Sequence, residues 1–315
     1  MDVKISVVVP IYNMERFISQ AVKCLKDQDM DDIEFIMIND GSTDRTMEIL
    51  AEEIKDDGRF RVISMENHGY GYACNYGMKC AKGKYIAIYE PDDIIKNDFY
   101  STLKKYAIKF PHADIIRYNG FYKNKDGEIH RLYKWEKKYT HHILDKYQMK
   151  RFWRSHPSVY NGLYRAEFIR VKNIVFCESP GASFQDVTFM ISLFYSNPSI
   201  YIINKVKYYY TIHNKQSIND VYLKVDNILK NWKYEYIWIG EKGIVDKSFF
   251  LYEICMQAHS IFKHINDKSV KYKIYKELIV IFSNGFMCSS IATFKQKYIC
   301  MMLFLKTQFY RLCIL

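Results

Sequence analysis

The chain has 315 residues, of which 49% are hydrophobic and 26% charged, a balance that excludes a disordered polypeptide. The low counts of 13 glycines and 6 prolines exclude a collagen-like or linker-rich protein. The net charge of +11 is unevenly distributed, because residues 1–100 carry 12 basic and 19 acidic side chains and residues 101–315 carry 34 and 16. The acidic part is suited to a metal ion, and the basic part to phosphate, nucleic acid or a lipid surface, although a solvated lysine-rich surface explains the basic part equally well.

Cysteine usage and hydropathy indicate a cytoplasmic protein. The eight cysteines include no C-x-x-C pair, which argues against a zinc knuckle or a dithiol redox site. No signal peptide opens the chain, and no stretch of about 18 apolar residues is uninterrupted, so we expect no membrane span.

The first 125 residues alternate between strand-like and helix-like segments. Short apolar runs predict buried strands, and apolar residues at helical spacing predict the helices between them. This alternation is typical of βαβ units with a mostly parallel sheet, an α/β fold. The predicted strands are 5–10, 33–38, 60–65, 84–89 and 113–118, and the predicted helices are 17–25, 42–54 (capped by Ser42), 70–81 and 98–110.

The pattern changes after about residue 123. Asp126-Gly127 predicts a hairpin turn, and everything beyond residue 215 is helical in pattern, rich in lysine and aromatic residues. We therefore expect a domain over 1–215, with halves 1–125 and 126–215, followed by a basic helical region over 216–315. The other predicted elements are helices 145–154 and 185–195 and strands 159–164 and 200–211.

Polar clusters follow three of the predicted strands, at residues 12–13, 39–42 and 90–93. Ligands of parallel sheets bind beyond the carboxyl ends of the strands, so these clusters are expected to converge on one crevice. Glu90, Asp92 and Asp93 favour a divalent cation, which takes oxygen ligands and accepts substrate phosphates in its shell. The alternative is that Asp93 caps the next helix.

Three further motifs each have a functional and a structural interpretation. Gly69 and Gly71 open a predicted helix and would let the backbone approach an anionic ligand, or they simply make a tight turn. Asp186 lies at the start of an apolar helix, where it is either an ionised base or a helix cap. His213 ends a predicted strand and either contacts a phosphate or belongs to a loop.

Together these motifs resemble the family-2 glycosyltransferases of the GT-A fold, with a Rossmann-like sheet flanked by helices. The resemblance spans about residues 3–215 and is closest to bacterial enzymes that build capsule, lipooligosaccharide or other surface polysaccharide. It is carried by segments 7–15, 39–46, 75–86, 90–92 and 180–186, of which 90–92 matches the family's Asp-x-Asp motif.

The resemblance implies an inverting enzyme that transfers a sugar from a nucleotide-diphosphate sugar to a glycan hydroxyl, with Mn or Mg. The donor is usually a UDP-sugar, here a UDP-hexose or UDP-N-acetylhexosamine. By this resemblance, Asp186 would be the general base, and Asp92 and Asp93 would hold the metal. Glu90 replaces the usual first Asp, and Cys74 stands where many members have Arg. The implied donor-binding residues are Pro10, Tyr12, Asn13, Glu15, Asp40, Ser42, Gly69, Gly71, Asn75, Glu90 and Pro91.

Two other functions remain open at this point. A nucleotidyltransferase on a related sheet would use similar carboxylates but attack phosphorus, and a glycan-binding module would carry a degenerate site. The scattered lysines form no nucleic-acid motif, so we expect no nucleic-acid partner.

The C-terminal tail has three interpretations. Residues 290–315 mix basic and apolar side chains, as in helices that lie on an anionic membrane surface, here the inner face of the cytoplasmic membrane with a lipid-linked acceptor. A final helix packed on the domain, or a contact in a dimer, would explain the pattern equally well.

Overall fold

The computed structural model describes residues 5–125, 128–131, 140–153, 158–182, 184–213, 225–284 and 294–314. The first part alternates strands and helices as its apolar periodicity predicts. In chain order it contains β1 (Ile5–Ile11), α1 (Ile18–Lys26), β2 (Ile33–Asp40), α2 (Thr46–Ile54), β3 (Phe60–Met65), α3 (Tyr70–Cys80), β4 (Tyr85–Ile88), β5 (Ile94–Ile95), α4 (Phe99–Lys109) and β6 (Ile115–Tyr118).

The second part is less regular and ends in four helices. It contains β7 (Tyr122–Lys125), β8 (Glu128–Arg131), α5 (Lys146–Trp153), β9 (Gly162–Arg165), α6 (Ala166–Val171), α7 (Gln185–Tyr195), β10 (Ile200–Ile203), β11 (Tyr208–Ile212), α8 (Val225–Glu241), α9 (Ser248–His264), α10 (Lys268–Ile281) and α11 (Phe294–Ile314).

A seven-stranded central sheet has the order β10-β6-β9-β4-β1-β2-β3. Every pairing is parallel except those of β9, which runs antiparallel to both β4 and β6. All seven residues of β1 are buried, since helices cover both faces of this sheet and its strands are continuous apolar runs. Val8 of β1 lies opposite Ile36 of β2 and Ile88 of β4.

A second, four-stranded sheet has the order β5-β11-β7-β8. It corrects the expectation of one strand over 200–211, because the chain leaves the central sheet after β10 and enters the second sheet as β11. The polar stretch between β10 and β11 is held in place by an ion pair between the Lys207 ammonium and the Asp98 carboxylate. β7 and β8 pair antiparallel, as the predicted hairpin requires, and its turn residues Asp126 and Gly127 lie outside the described part.

The C-terminal helices pack on the α/β part through aromatic side chains. Phe249 of α9 stacks on Phe194 of α7 with ring centroids 4.0 Å apart, and Phe304 of α11 contacts Phe282, which follows α10. In the part of the chain that the structure describes, no helix has an apolar stretch long enough to cross a bilayer.

Candidate active site

The carboxyl ends of β4, β1 and β2 lie side by side, because these strands are neighbours in the central sheet. This order confirms that the clusters after them share one edge, where parallel sheets place their ligands. Pro10 is buried within β1, and Tyr12, just beyond that strand, exposes 47% of its surface. An exposed aromatic ring at this edge is suited to stack on a planar base.

The loops after β1 and β2 are hydrogen-bonded to each other. The Asn13 side-chain oxygen accepts from the Thr43 N–H at 2.8 Å, and the Ser42 hydroxyl accepts from the Asn13 N–H at 3.0 Å. The Glu15 carboxylate accepts from a backbone N–H of the second loop at 3.4 Å. Asn13, Glu15 and Ser42 therefore shape the crevice by joining two loops, and Ser42 does not cap α2 as its position suggested.

Asp40, the last residue of β2, is 3% exposed. One carboxylate oxygen accepts from the His68 N–H at 2.8 Å and the other from the Gly69 N–H at 2.9 Å. Asp40 thus holds the start of α3 against the end of β2. Its direct contact with a nucleotide stays a prediction.

The start of α3 packs on the segment that leads to α7. A Cβ at Gly69 would lie 2.8 Å from the Gly181 nitrogen, and one at Gly71 would lie 1.9 Å from the Cys177 carbonyl oxygen. Asn75 bonds both backbone groups of Phe176, at 2.8 and 2.9 Å. These contacts show that Gly69, Gly71 and Asn75 have a packing role, as the tight-turn interpretation of the two glycines expects. Their contact with the donor stays a prediction.

We expect Gly71→Ala to destabilise the protein by about 1–3 kcal/mol, because α3 and the Cys177 backbone must move apart. It should also lower activity, since the same segment leads to Asp186. Gly240→Ala in α8 is the matched control: nothing lies within 4 Å of its Cβ, so it should be neutral or stabilising by up to about 1 kcal/mol. Thermal unfolding of both variants checks this. Equal melting temperatures would contradict the packing role of Gly71.

Glu90 is half-buried beneath the crevice and accepts a hydrogen bond from the Tyr70 hydroxyl at 2.6 Å. Burial, followed by the charge of Asp92, raises the pKa of Glu90 to about 8. Cys74 is fully buried nearby, and burial also raises the pKa of its thiol, which keeps it neutral. Cys74 therefore supplies no positive charge to the site.

Asp92 pairs with His213, which the sequence analysis interpreted as a phosphate contact or a loop residue. The Asp92 Oδ2 and His213 Nε2 atoms lie 2.9 Å apart, and the His213 ring packs on Phe17 with centroids 4.6 Å apart. Both side chains are 18% exposed, so the pair opens onto the crevice. Among the described residues, no three His, Cys, Asp or Glu side chains are grouped as metal ligands, which leaves this carboxylate–imidazole pair as the best candidate.

Asp93 points away from this pair and into the second sheet. Its oxygens accept from the Tyr208 hydroxyl at 2.5 Å and the Thr211 N–H at 2.8 Å, and the residue is 1% exposed. Both carboxylate oxygens are thus engaged by β11. We therefore no longer place Asp93 among the metal ligands. Nor does it cap α4, because the residue at that position is Asp98.

Asp186 is the second residue of α7, which begins directly after Phe184, a residue with a left-handed backbone and φ of 60°. The Gln185 amide fixes this turn by donating to the Ser179 hydroxyl at 2.8 Å and the Gly181 carbonyl at 3.1 Å. Burial raises the pKa of Asp186 to about 6, and hydrogen bonds from backbone N–H groups oppose this shift.

The segment before Asp186 reaches the Glu90 end of the site through Tyr70, whose N–H donates to the Gly181 carbonyl at 3.0 Å and whose hydroxyl donates to Glu90 at 2.6 Å. In agreement, the charge of Asp186 contributes to the raised pKa of Glu90, Tyr70, Tyr160 and Tyr210. The structure thus brings together three sequence-predicted residues, Glu90, Asp92 and Asp186, although they come from segments almost 100 residues apart. It adds Tyr70 and His213, whose partners no local pattern indicates.

A family model described as glycosyl transferase family 2 matches residues 6–170, more than half of the chain. The chain belongs to this family. The matched part contains β1 to β4 and the Glu90–Asp92 segment but ends before Asp186.

Two family-2 relatives illustrate the extent of the similarity. "Uncharacterized glycosyltransferase EpsJ" of Bacillus subtilis is 31% identical over 223 residues, which cover 69% of this chain and 63% of EpsJ. Glycosyltransferase GlyG of Streptococcus pneumoniae is 38% identical over 132 residues, which cover 41% of this chain and 44% of GlyG. The similarity therefore spans less than two thirds of either relative.

Solved structures show that the family-2 chain has a GT-A fold. S. aureus TarS 1-349 in complex with UDP-GlcNAc has a TM-score of 0.56 at 21% identity, covering 90% of this chain and 73% of that one. The mannosyltransferase PcManGT from Pyrobaculum calidifontis, in complex with GDP-Man and Mn2+, has a TM-score of 0.54 at 12% identity, covering 97% and 87%.

Proposed function

We propose that this protein is a metal-dependent inverting glycosyltransferase that moves a sugar from a UDP-sugar to a hydroxyl of a glycan acceptor in bacterial surface polysaccharide synthesis. The observation that carries the proposal is that Tyr70 joins the segment leading to Asp186 to Glu90, by donating its N–H to the Gly181 carbonyl at 3.0 Å and its hydroxyl to Glu90 at 2.6 Å, beside the Asp92–His213 pair. The family and the complexes of structural neighbours with UDP-GlcNAc and GDP-Man support a nucleotide-sugar donor.

The proposal assigns a separate role to each of three parts of the chain. Residues 1–125 bind the donor, residues 126–215 carry the base, and the region after 215 covers the acceptor side. Tyr12 would stack on the nucleotide base, above a crevice shaped by the joined loops after β1 and β2.

The Asp92–His213 pair fits a divalent cation. A carboxylate and an imidazole supply two ligands, and such cations usually complete their shell with substrate phosphates and water. Glu90 lies next to the pair, close enough for the charge of Asp92 to raise its pKa. A cation bound there would offset the negative charge that develops on the leaving diphosphate.

Asp186 performs the proton transfer. With a pKa of about 6 it is ionised at neutral pH, and burial leaves its carboxylate poorly solvated. It removes the proton of the acceptor hydroxyl while that oxygen bonds to the anomeric carbon. The bond between that carbon and the diphosphate breaks at the same time. One displacement from the opposite face inverts the anomeric centre, without a covalent enzyme intermediate.

A donor panel tests the proposal. The protein is incubated with UDP-glucose, UDP-galactose, UDP-GlcNAc, UDP-GalNAc and GDP-mannose, with methyl glycosides as acceptors, with Mn2+ or with EDTA. We expect nucleoside diphosphate to be released from one donor class, with Mn2+ and not with EDTA. Release of pyrophosphate would instead indicate a nucleotidyltransferase, and binding of sugars without any release would indicate a glycan-binding module.

The exposed face of α11 supports the proposal of contact with an anionic membrane surface. Cys300, Leu303 and Thr307 are buried against the neighbouring helices, whereas Tyr298, Met301 and Leu305 on the opposite side are 55%, 43% and 52% exposed. Apolar side chains flanked by lysines are typical of helices at a lipid surface. The other face of α11 is buried, so this helix also packs on the neighbouring helices, as the alternative interpretation of the tail expects.

We expect serine at positions 298, 301 and 305 together to weaken co-sedimentation with phosphatidylglycerol vesicles by about tenfold, since three apolar contacts with lipid are lost. Val171→Ser is the control, because this residue is 74% exposed on α6, away from α11. Nucleotide binding should be unchanged in both variants. If the triple variant sediments like wild type at low and high salt, α11 does not contact the membrane.

A further inference from the structure

A pocket of about 930 Å³ lies beside the segment that leads to Asp186. Residues 173–180 of that segment line it, together with residues of α3, α6 and α8. Its volume is within the range of sites that bind small molecules. The pocket is separate from the crevice after β1, β2 and β4, and none of the donor or metal residues assigned above lines it except Asn75.

One end of the pocket is joined to the residue before Asp186. Ser179, which lines the pocket, accepts from the Gln185 amide through its hydroxyl at 2.8 Å and through its carbonyl at 3.3 Å. Asn227, near the start of α8, donates to the Pro180 carbonyl at 2.9 Å and so fixes the α8 wall to the same end. The pocket therefore begins next to the turn that carries the candidate base.

The charged residues of the pocket give it a positive charge. Three of them are cationic and one is acidic, and all four are exposed: Lys79, Arg170, Lys230 and Glu178. The Glu178 carboxylate already accepts from the Asn75 amide at 2.9 Å, and Arg170 donates to a backbone carbonyl after α3 at 2.7 Å. Within the ranges that the structure describes, Lys79 and Lys230 have no ion-pair partner, so both ammonium groups are available to an anionic ligand.

The accessible walls of the pocket are mostly polar. Its exposed side chains are the four charged ones, Asn173 and Pro180, and Tyr234 of α8 is half-buried. Most of the apolar residues that line it lie beneath this surface and are at most 6% exposed: Met78, Ile86, Ile169, Ile174 and Phe176. A lipid chain would need accessible apolar walls, whereas polar groups beside an aromatic ring suit a sugar.

We propose that this pocket binds an acidic group of the glycan acceptor, a carboxylate or a phosphate carried next to the sugar unit that reacts at Asp186. The inference rests on the proposed function and names its acceptor class, an anionic glycan. Lys79 on α3 and Lys230 on α8 pair with the acidic group from two walls, and the Tyr234 ring packs on a sugar ring. A single exposed ion pair is weak, so selection of an acidic acceptor requires several cations around one pocket.

Titration calorimetry tests this with three oligomers: a hyaluronan hexasaccharide, which carries carboxylates, a glycerol phosphate hexamer and neutral chitohexaose. The wild type should bind one of the acidic oligomers at least about tenfold more tightly than chitohexaose, and added salt should reduce the difference. Lys79→Gln combined with Lys230→Gln should weaken binding of that oligomer by about tenfold, and arginine at both positions should preserve it.

The matched control is Lys105→Gln combined with Lys109→Gln. Both lysines are exposed on α4, neither lines the pocket, and the pair removes the same charge. This variant should bind the acidic oligomer within about twofold of wild type, and UDP binding should be unchanged in all variants.

Equal affinities of the Lys79/Lys230 glutamine variant and the α4 control overturn the inference, as does binding of chitohexaose that equals binding of both acidic oligomers. Inorganic phosphate is the last arm of the experiment. If it binds as tightly as the better oligomer, the pocket holds a free anion and the assignment to a glycan is wrong. Binding does not require turnover, so these results differ from failure of the proposed function, in which the wild type releases no nucleotide from any donor.

Discussion

Asp92→Asn is expected to reduce sugar transfer by at least about 100-fold. The amide cannot supply a negative charge to a divalent cation, whereas its size and shape are retained. The measurement is nucleotide release in Mn2+, with EDTA treatment of the wild type as the parallel experiment. Both should give the same low rate.

The stability of Asp92→Asn should change by no more than about 1 kcal/mol, since the residue makes one hydrogen bond, to His213, at the edge of the sheet. Asp56→Asn, an exposed position after α2, is the matched control and should transfer at the wild-type rate. Full wild-type activity in EDTA would remove the metal from the proposal, and an active Asp92→Asn would remove this residue from the site.

Asp186→Asn should lower turnover by about 10²–10⁴-fold, because asparagine keeps the size of the side chain but cannot accept a proton. Donor affinity should be unchanged if Asp186 acts on the acceptor, as proposed. For the wild type, the pKa of about 6 predicts that turnover rises tenfold per pH unit below pH 6 and levels off above it. The residual activity of Asp186→Asn should not show this rise.

The raised pKa of Asp186 also makes the stability of the folded protein depend on pH. Burial raises it from 3.8, so ionisation of Asp186 is less favourable in the folded protein than in the unfolded chain. Its contribution to stability is complete below pH 3.8 and is lost as the pH rises through about 6. At pH 7, Asp186→Asn should therefore be at least as stable as wild type in thermal unfolding. Loss of donor binding with normal turnover would place Asp186 in the donor site and contradict its role as base.

The central sheet could be predicted from the sequence because buried parallel strands are continuous apolar runs. β3 lies at the predicted positions, and β1, β2 and β4 differ by a few residues at their ends. The strand over 159–164 and the hairpin were predicted, but the antiparallel direction of β9 could not be predicted from its local pattern. The separation of β10 from β11 was also missed, since residues 200–211 have the pattern of one strand. Its division depends on the Lys207–Asp98 pair, a tertiary contact between residues more than 100 positions apart.

The roles of individual residues in the candidate site also depend on tertiary contacts that the local sequence does not show. The local pattern around Asp186 fitted a helix cap as well as a base, and only the family resemblance assigned it the role of base and Asp92 that of metal ligand. Asp93 has the same local signal as Asp92, but Tyr208 and Thr211 of a distant strand take both of its oxygens. A sequence shows that a residue is capable of binding, and only the fold shows whether another part of the chain already occupies it.

The glycines before and within α3 correctly indicate the close approach of another backbone, which belongs to residues 177–181 of the protein. Their contact with the nucleotide-sugar donor stays a prediction.

The anomeric configuration of the product tests the central claim most directly. The donor that releases nucleotide is supplied as its α-linked UDP-sugar, and the product formed on a methyl glycoside is analysed by proton NMR. A single displacement assisted by Asp186 predicts a β-linked product. An α-linked product would require a second displacement or a different reaction path, and it would contradict the mechanism built on Asp186.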